Sequence, residues 1–158
     1  KHISSKDELL FKLTIQFYRG LLQRFQLEDM DSDDVLETFR NIFKIAFQYH
    51  LDHAEYRYIV EYTNRIDFKE RANESWHDAF WELDNAFSQW GDPMLIEAIE
   101  KGLISKRPLD HISIGMHACF DGTVNMLWAV KDWCSHGNKE EIIEAATEFM
   151  MNGLIGNK

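Results

Sequence analysis

Histidines and carboxylates at helical spacing are the side chains of this sequence best suited to metal chemistry. Seven histidines lie among 27 aspartates and glutamates. Glu74 and His77 have the i,i+3 spacing that di-iron helical bundles use, but such a centre needs the motif twice and two further glutamates. The sequence has no second Glu-x-x-His. It also lacks a Gly-x-Ser-x-Gly elbow and a phosphate-cradling glycine loop, so we predict no enzyme active site.

A mixed site of histidines and carboxylates from several helices is the alternative. His50 and His53 are predicted to share a helical face, and His117 precedes Asp121 by four residues. Imidazole and carboxylate ligands suit transition metals. The competing function is therefore a metal-containing helical-bundle enzyme or ligand-binding protein. Its candidate ligands are His50, His53, Glu74, His77 and His117.

The aromatic residues indicate a second kind of site, a pocket for an apolar ligand. They make up 13% of the chain, and those of its middle part recur at helical spacing. Pockets for apolar molecules are lined by such side chains, with a few polar groups that fix orientation. An ordinary packed core contains the same residues and is the alternative. The predicted ligand-binding residues are Phe43, Phe47, His50, Tyr62, Trp76, Phe80, Met116, His117, Phe120 and Asp121.

Helices must position these side chains, because apolar residues recur three and four apart and no strand-like alternation persists. We predict an all-α bundle of about eight helices. The first runs from a capping box at Ser5 to about Phe25. A long helix passes through Ala72 to Trp90 and is ended by Gly91-Asp92-Pro93.

Net charge and hydropathy restrict the class of partner. A formal charge of -10 repels nucleic acid, so this part of a protein would not itself bind DNA tightly. No apolar run approaches the roughly 20 residues of a membrane span, and no signal-peptide pattern opens the sequence. We therefore predict a soluble, cytoplasmic protein with no membrane partner and no cofactor.

The two closing helices are predicted to form a dimer interface. The first spans Pro108 to Ser135 and is apolar on more than one side, so more than one side must be covered. The last has a stripe with small residues at its centre, and two copies of the pair would form a symmetric four-helix interface. The alternative is that both are core helices of a monomer. The predicted interface residues are Met126, Val130, Trp133, Cys134, Ile142, Ala145, Ala146, Phe149, Met150 and Gly153.

The opening residues HISSKDELL resemble the junction in TetR-family transcriptional repressors, where the recognition helix ends and the regulatory domain begins. At this junction the family's usual pattern is an aromatic residue, a histidine and another aromatic residue, followed by two small or polar residues, a lysine, an acidic or polar residue, a glutamate and a leucine. Lys1, His2 and Ile3 take the first three places, with Ile3 in place of the usual Phe, and Ser5 and Lys6 match. Helix order, length and the closing helix pair are also similar to a TetR regulatory domain. The segments GMHACFDGTVNMLW and NGLIGNK are most similar to members that respond to acyl-CoA or other apolar ligands.

The resemblance implies a transcriptional regulator whose helix-turn-helix lies outside this sequence. The expected type of regulator is a repressor. Residues 1–4 would end the DNA-binding domain, and residues 5–158 would form the ligand-binding and dimerisation domain. Lys1, His2 and Lys6 would contact the DNA backbone, which positions a protein without reading sequence. A ligand bound in the helical bundle would favour a spacing of the two DNA-binding domains of the dimer that mismatches successive major grooves. The first helix would act as the lever, because it joins the DNA-binding domain to the ligand pocket. The implied partners are a second copy, operator DNA and a small apolar ligand.

Overall fold

The computed structural model describes residues 5–28, 33–129 and 137–157. No β-strand occurs within these residues, which confirms the all-α prediction. Seven α-helices stand there, where about eight were predicted, and none is long and apolar enough to cross a bilayer. In chain order they are α1 (Lys6–Leu27), α2 (Val35–Asp52), α3 (Arg57–Asn64), α4 (Ile66–Arg71), α5 (Glu74–Glu100), α6 (Leu109–Trp128) and α7 (Lys139–Ile155), with one 3-10 turn (Ala54–Tyr56) before α3.

Helix α1 begins where the sequence predicts it. The Ser5 hydroxyl accepts a hydrogen bond from the backbone N–H of Glu8 at 3.1 Å, which satisfies one of the unpaired donors of the first turn. Asp7 also lies in that turn, where a carboxylate complements the positive end of the helix. The apolar stripe of α1 buries Phe17 and Phe25.

Helix α5 differs from the prediction at both ends. It begins after Asn73, whose side-chain oxygen accepts the N–H of Trp76 at 3.1 Å, so Ala72 is a break rather than part of the helix. It then continues through Pro93, which was predicted to stop it. Proline removes one backbone hydrogen bond, but the residues that follow favour helix and bury Ala98 completely. The helix therefore extends beyond its predicted stop, to Glu100.

Helix α6 ends earlier than the predicted Ser135. Its last residue is Trp128, and Ala129 already has an extended backbone with ψ 145°. The apolar pattern continues beyond this point, so periodicity alone did not show the end. The predicted interface residues Val130, Trp133 and Cys134 lie outside the described residues.

Helix α7 is held at both ends by side chains. The Asn138 side chain accepts the N–H of Glu141 at 2.9 Å, and the Glu141 carboxylate accepts the N–H of Asn138 at 3.2 Å, a capping box. At the other end Arg107 donates to the carbonyls of Gly153, at 2.7 Å, and Leu154. A cation there complements the negative helix end.

The chain divides into two compact units that interleave along the sequence. Unit 1 comprises residues 1–28 and 53–90, and unit 2 comprises residues 29–52 and 91–158. In unit 1, α1 packs against α3 around Phe17, Val60 and Phe68. In unit 2, α2, α6 and α7 pack against one another around Phe47 and Leu127. Each unit thus has its own apolar core.

Candidate functional site

Three of the predicted ligand-binding residues meet in an aromatic cluster of unit 2. The rings of Phe47 on α2 and Phe120 on α6 are stacked, with centroids 4.8 Å apart and planes 13° from parallel. The His50 ring approaches Phe120 edge-on at 5.2 Å and lies 5.1 Å from the Trp128 ring. Offset-stacked and edge-to-face arrangements of this kind are favourable, and they place a titratable imidazole inside an apolar environment.

Hydrogen bonds fix the orientation of this histidine. His50 is 1% exposed, and its Nδ1 lies 2.7 Å from the carbonyl oxygen of Ala46. Because a carbonyl oxygen only accepts, Nδ1 must carry the hydrogen of this bond. The indole N–H of Trp128 donates to the His50 carbonyl at 2.8 Å, and that carbonyl belongs to the last turn of α2. The end of α6 is thereby attached to the end of α2.

The other predicted ligand residues of unit 2 are less closely associated with the cluster. Phe43 is buried on α2, one turn before Phe47. Met116 is half-buried on α6, whereas His117 and Asp121 are exposed on that helix. The polar groups proposed to orient a ligand therefore face solvent, and only His50 lies among the aromatic rings.

The remaining predicted ligand residues belong to unit 1, where a second aromatic cluster lies. Trp76 on α5 stacks between Phe11, at 5.2 Å, and Phe68, at 5.8 Å. Tyr62 on α3 contacts the Phe68 ring edge-on at 5.6 Å. Phe80, which was predicted with them, is 54% exposed. The ten predicted residues thus divide between two units, and their convergence on one ligand stays a prediction.

Tyr62 connects the unit 1 cluster to the start of α1. Its hydroxyl donates to Asp7 Oδ1 at 2.8 Å, and Arg71 Nε donates to Asp7 Oδ2 at 3.0 Å. The Tyr62 hydrogen bond and the Arg71 guanidinium lower the pKa of Asp7 below its usual value of 3.8. The same carboxylate raises the pKa of Tyr62, because it accepts the phenolic proton and disfavours the phenolate. The first turn of α1 is thus fixed to α3 and α4.

A second carboxylate completes this polar network. Asp67 accepts two hydrogen bonds from Arg65, both at 2.9 Å, and one from Arg71 at 3.2 Å. These bonds lower the pKa of Asp67. Lys6 Nζ and the Arg65 guanidinium lie 5.4 and 5.5 Å from the centre of the Tyr62 ring, within cation–π range. Lys6, predicted to contact DNA, is exposed here, and Lys1 and His2 lie outside the described residues.

The sequence analysis did not identify Asp7, Phe68 or Arg71 as parts of a site. Asp7 was visible only as an acidic residue of a first helical turn, and Phe68 as one more aromatic. The i,i+4 spacing of Asp67 and Arg71 was a signal that could have been used. The Asp7–Tyr62 hydrogen bond joins residues that are 55 apart in the sequence, and no local sequence pattern predicts such a pair.

The predicted dimer residues of α7 divide between two sides of the helix. Ala145, Phe149 and Gly153 are exposed, and Phe149 retains 71% of its accessible surface. Ile142 and Met150 were also assigned to the interface but are buried inside unit 2, because their spacing places them on the side that faces α2 and α6. Met126 and Ala146 are half-buried.

The neighbouring helix α6 carries an exposed strip that the sequence analysis did not assign to the interface. It consists of Ile114, Gly115, Ala118 and Gly122, which recur at helical spacing and are all exposed. A Cβ added at Gly115 or Gly122 would meet nothing within 4 Å. Packing within the chain therefore does not require glycine at either position.

The histidines and acids predicted as metal ligands are dispersed. His53 follows the end of α2, so it does not share a face of that helix with His50, as the sequence had indicated. Glu74 and His77 are both exposed on α5. In the part of the chain that the structure describes, no three His, Cys, Asp or Glu side chains lie close enough to hold one ion.

Comparison with known proteins does not assign the chain to a family. No protein-family model matches it, and no curated protein or solved structure shows significant similarity to it.

Proposed function

We propose that this chain is the sensor and dimerisation part of a TetR-like transcriptional regulator, which binds an apolar, acyl or aromatic small molecule and then releases operator DNA. The observation that carries the proposal is the exposed strip of small and apolar residues on the two closing helices. The resemblance of the opening residues to the family's junction motif supports the same assignment.

The outer strips of α6 and α7 favour a second copy of the chain as their partner. Gly115, Ala118 and Gly122 on α6, with Ala145 and Gly153 on α7, leave little side-chain bulk between approaching backbones. Exposed apolar residues are ordinary when single, but Phe149 adds a large aromatic anchor to this strip. Because most soluble oligomers are symmetric dimers, a self-complementary four-helix contact is the simplest arrangement that covers it.

The polar network at the start of α1 supports a role for that helix as the lever. A DNA reader joined to α1 would be attached next to Lys6, and the first turn is held by the Asp7–Tyr62 and Asp7–Arg71 bonds. Tyr62 in turn contacts the aromatic cluster of unit 1 through Phe68. A ligand that displaced these rings would move the residue that holds α1. Such a ligand shifts the equilibrium only if it binds the released form more tightly than the DNA-bound form.

Sedimentation of the purified chain tests the dimer. We expect the wild type to sediment as a dimer at micromolar concentration and Phe149→Lys as a monomer. Loss of one anchor costs about 2 kcal/mol, and it counts twice in a symmetric interface, so Kd should rise about a thousandfold. Tyr58→Lys is the matched control, because Tyr58 is an aromatic residue exposed to 66% on unit 1. A monomeric wild type, or dimers in both variants, would contradict the assignment.

Titration of acyl-CoA and aromatic ligands into the full-length regulator on operator DNA tests the sensor. The expected result is a ligand-dependent loss of operator affinity that Trp76→Ala weakens, since the Trp76 ring stacks on Phe68 in the cluster that Tyr62 connects to α1. If no ligand of either class changes operator affinity, the sensor role is wrong even if the dimer is confirmed.

A further inference from the structure

Most of the net negative charge of the protein lies on one helix, α5. Between Arg71 and Lys101 the sequence contains no lysine or arginine and seven acidic residues, all of them within α5. The whole chain has 27 acids and 17 bases, so the rest has 20 acids and 17 bases and a net charge of only -3. The charge of -7 on α5 is therefore a local feature of that helix.

The first half of α5, which belongs to unit 1, combines these carboxylates with two exposed aromatic rings. Trp81 is 62% exposed, and Phe80 beside it is exposed as well. Asp78 and Asp84 stand three residues before and after Trp81, and residues at that spacing are neighbours on a helix surface. The indole is therefore solvent-facing and has one carboxylate on each side along the helix, of which Asp78 is exposed and Asp84 is half-buried.

The arrangement is unfavourable for the helix itself. Glu74, Asp78 and Glu82 follow one another at i,i+4, and like charges at this spacing oppose helix formation. Among the described residues, no ion pair involves these three or Asp84. Surface carboxylates elsewhere in the protein do have such partners: Glu8 pairs with Lys12. Within the described chain no lysine or arginine pairs with this strip of carboxylates, and only Glu74 lies in the first turn, where the helix end favours a carboxylate.

We propose that this strip of α5, centred on Trp81 and flanked by Asp78 and Asp84, docks a basic segment of another protein that presents arginine together with apolar side chains. Charge complementarity selects the partner, because a strip without cations attracts a cationic segment and repels a second copy of itself. A guanidinium can stack on the Trp81 ring while its N–H groups donate to a neighbouring carboxylate. Phe80 offers an apolar contact beside them, which a polyamine or a metal ion would not use. This docking site is independent of the regulator assignment.

Binding of a designed peptide to the full chain tests the proposal. The probe is an 18-residue fluorescent helical peptide with arginines beside a leucine strip, and its control has glutamine at every arginine. We expect the arginine peptide to bind, and the glutamine peptide to bind at least about tenfold more weakly. Trp81→Ala should weaken binding about tenfold, since an arginine–tryptophan contact that excludes water is worth about one decade of affinity. Asp78→Asn combined with Asp84→Asn should weaken binding and reduce its salt dependence.

Matched variants separate the strip from general charge attraction. Glu61→Gln with Glu70→Gln changes the net charge by the same amount on exposed residues of unit 1, and Tyr58→Ala removes another exposed aromatic ring. Both should bind the peptide as the wild type does, and circular dichroism should show that all variants are folded. The proposal is overturned if the peptide does not bind, if the two acid pairs have equal effects, or if Trp81→Ala binds normally. Because Phe149→Lys leaves the strip intact, it should bind the peptide normally whether or not the dimer exists.

Discussion

Thr147 provides a sharp test of the packing between the closing helices. Its side chain lies in the interior of unit 2 with 0% of its surface accessible. Among the described residues, its hydroxyl has no hydrogen-bond partner. A buried polar group without a partner has lost its hydrogen bonds to water and gained none, so it destabilises the folded state. We therefore expect Thr147→Val to stabilise the protein.

The size of the effect follows from the burial. An unpaired buried hydroxyl costs about 1–3 kcal/mol in protein mutational data, and valine replaces it by a methyl group of similar size. Threonine and valine have nearly equal helix propensities, so the backbone of α7 contributes little to the difference. Allowing for partial relaxation around the hydroxyl, we expect the free energy of unfolding to rise by about 1–2 kcal/mol. For a chain of this length that raises Tm by about 2–8 °C.

Thr123→Val is the matched control. Thr123 is also buried in unit 2, but its hydroxyl donates to the Cys119 carbonyl at 2.8 Å. Valine there removes a hydrogen bond that is made, so its stability should be unchanged or fall by up to about 1.5 kcal/mol. Urea unfolding followed by circular dichroism, with thermal melts beside it, measures both. A Thr147→Val protein that is less stable than the wild type by about 1 kcal/mol or more, the size of one hydrogen bond, would refute the unpaired hydroxyl.

Two further predictions concern the polar contacts of each unit. Tyr62→Phe should make the protein unfold at a higher pH in an acid titration. The pKa of Asp7 is lowered in the folded state, so the stability that Asp7 contributes is complete above the usual value of 3.8 and is lost as the pH falls through the lowered value. This contribution is smaller without the hydrogen bond from Tyr62. Circular dichroism against pH measures this, and an unshifted acid transition would contradict it. Trp128→Phe should lower the free energy of unfolding by about 2–4 kcal/mol, because it removes the hydrogen bond from the indole to the His50 carbonyl and opens a cavity. A loss below about 1 kcal/mol in urea unfolding would show that this indole does not hold the end of α2.

Local signals in the sequence predicted the helices well. The spacing of apolar residues identified the all-α class, and Ser5 with the acids after it placed the start of α1. Hydrogen bonds from i to i+4 and caps within one turn depend only on neighbouring residues, so they can be read from the sequence. Local reasoning was less successful at Pro93. Proline weakens a helix there, but burial of Ala98 beyond it was not visible.

The candidate sites depended on contacts that no sequence window contains. Tyr62 and Asp7 are 55 residues apart, and Trp128 and the His50 carbonyl are 78 apart. The aromatic composition predicted that rings would cluster, but it did not predict that the predicted ligand residues would belong to separate clusters in the two units. Which side of α7 faces outward was also undecided, since both sides carry apolar residues: Phe149 is exposed and Met150 is buried.

The sequence by itself determined that this protein is helical, that it is strongly acidic, and where α1 and α6 begin. The tertiary structure decided which residues lie together, where α5 and α6 end, and which apolar side chains remain exposed. The physical reason is range: helix formation and capping are decided within about four residues, whereas burial is decided by whichever distant segment covers a side chain.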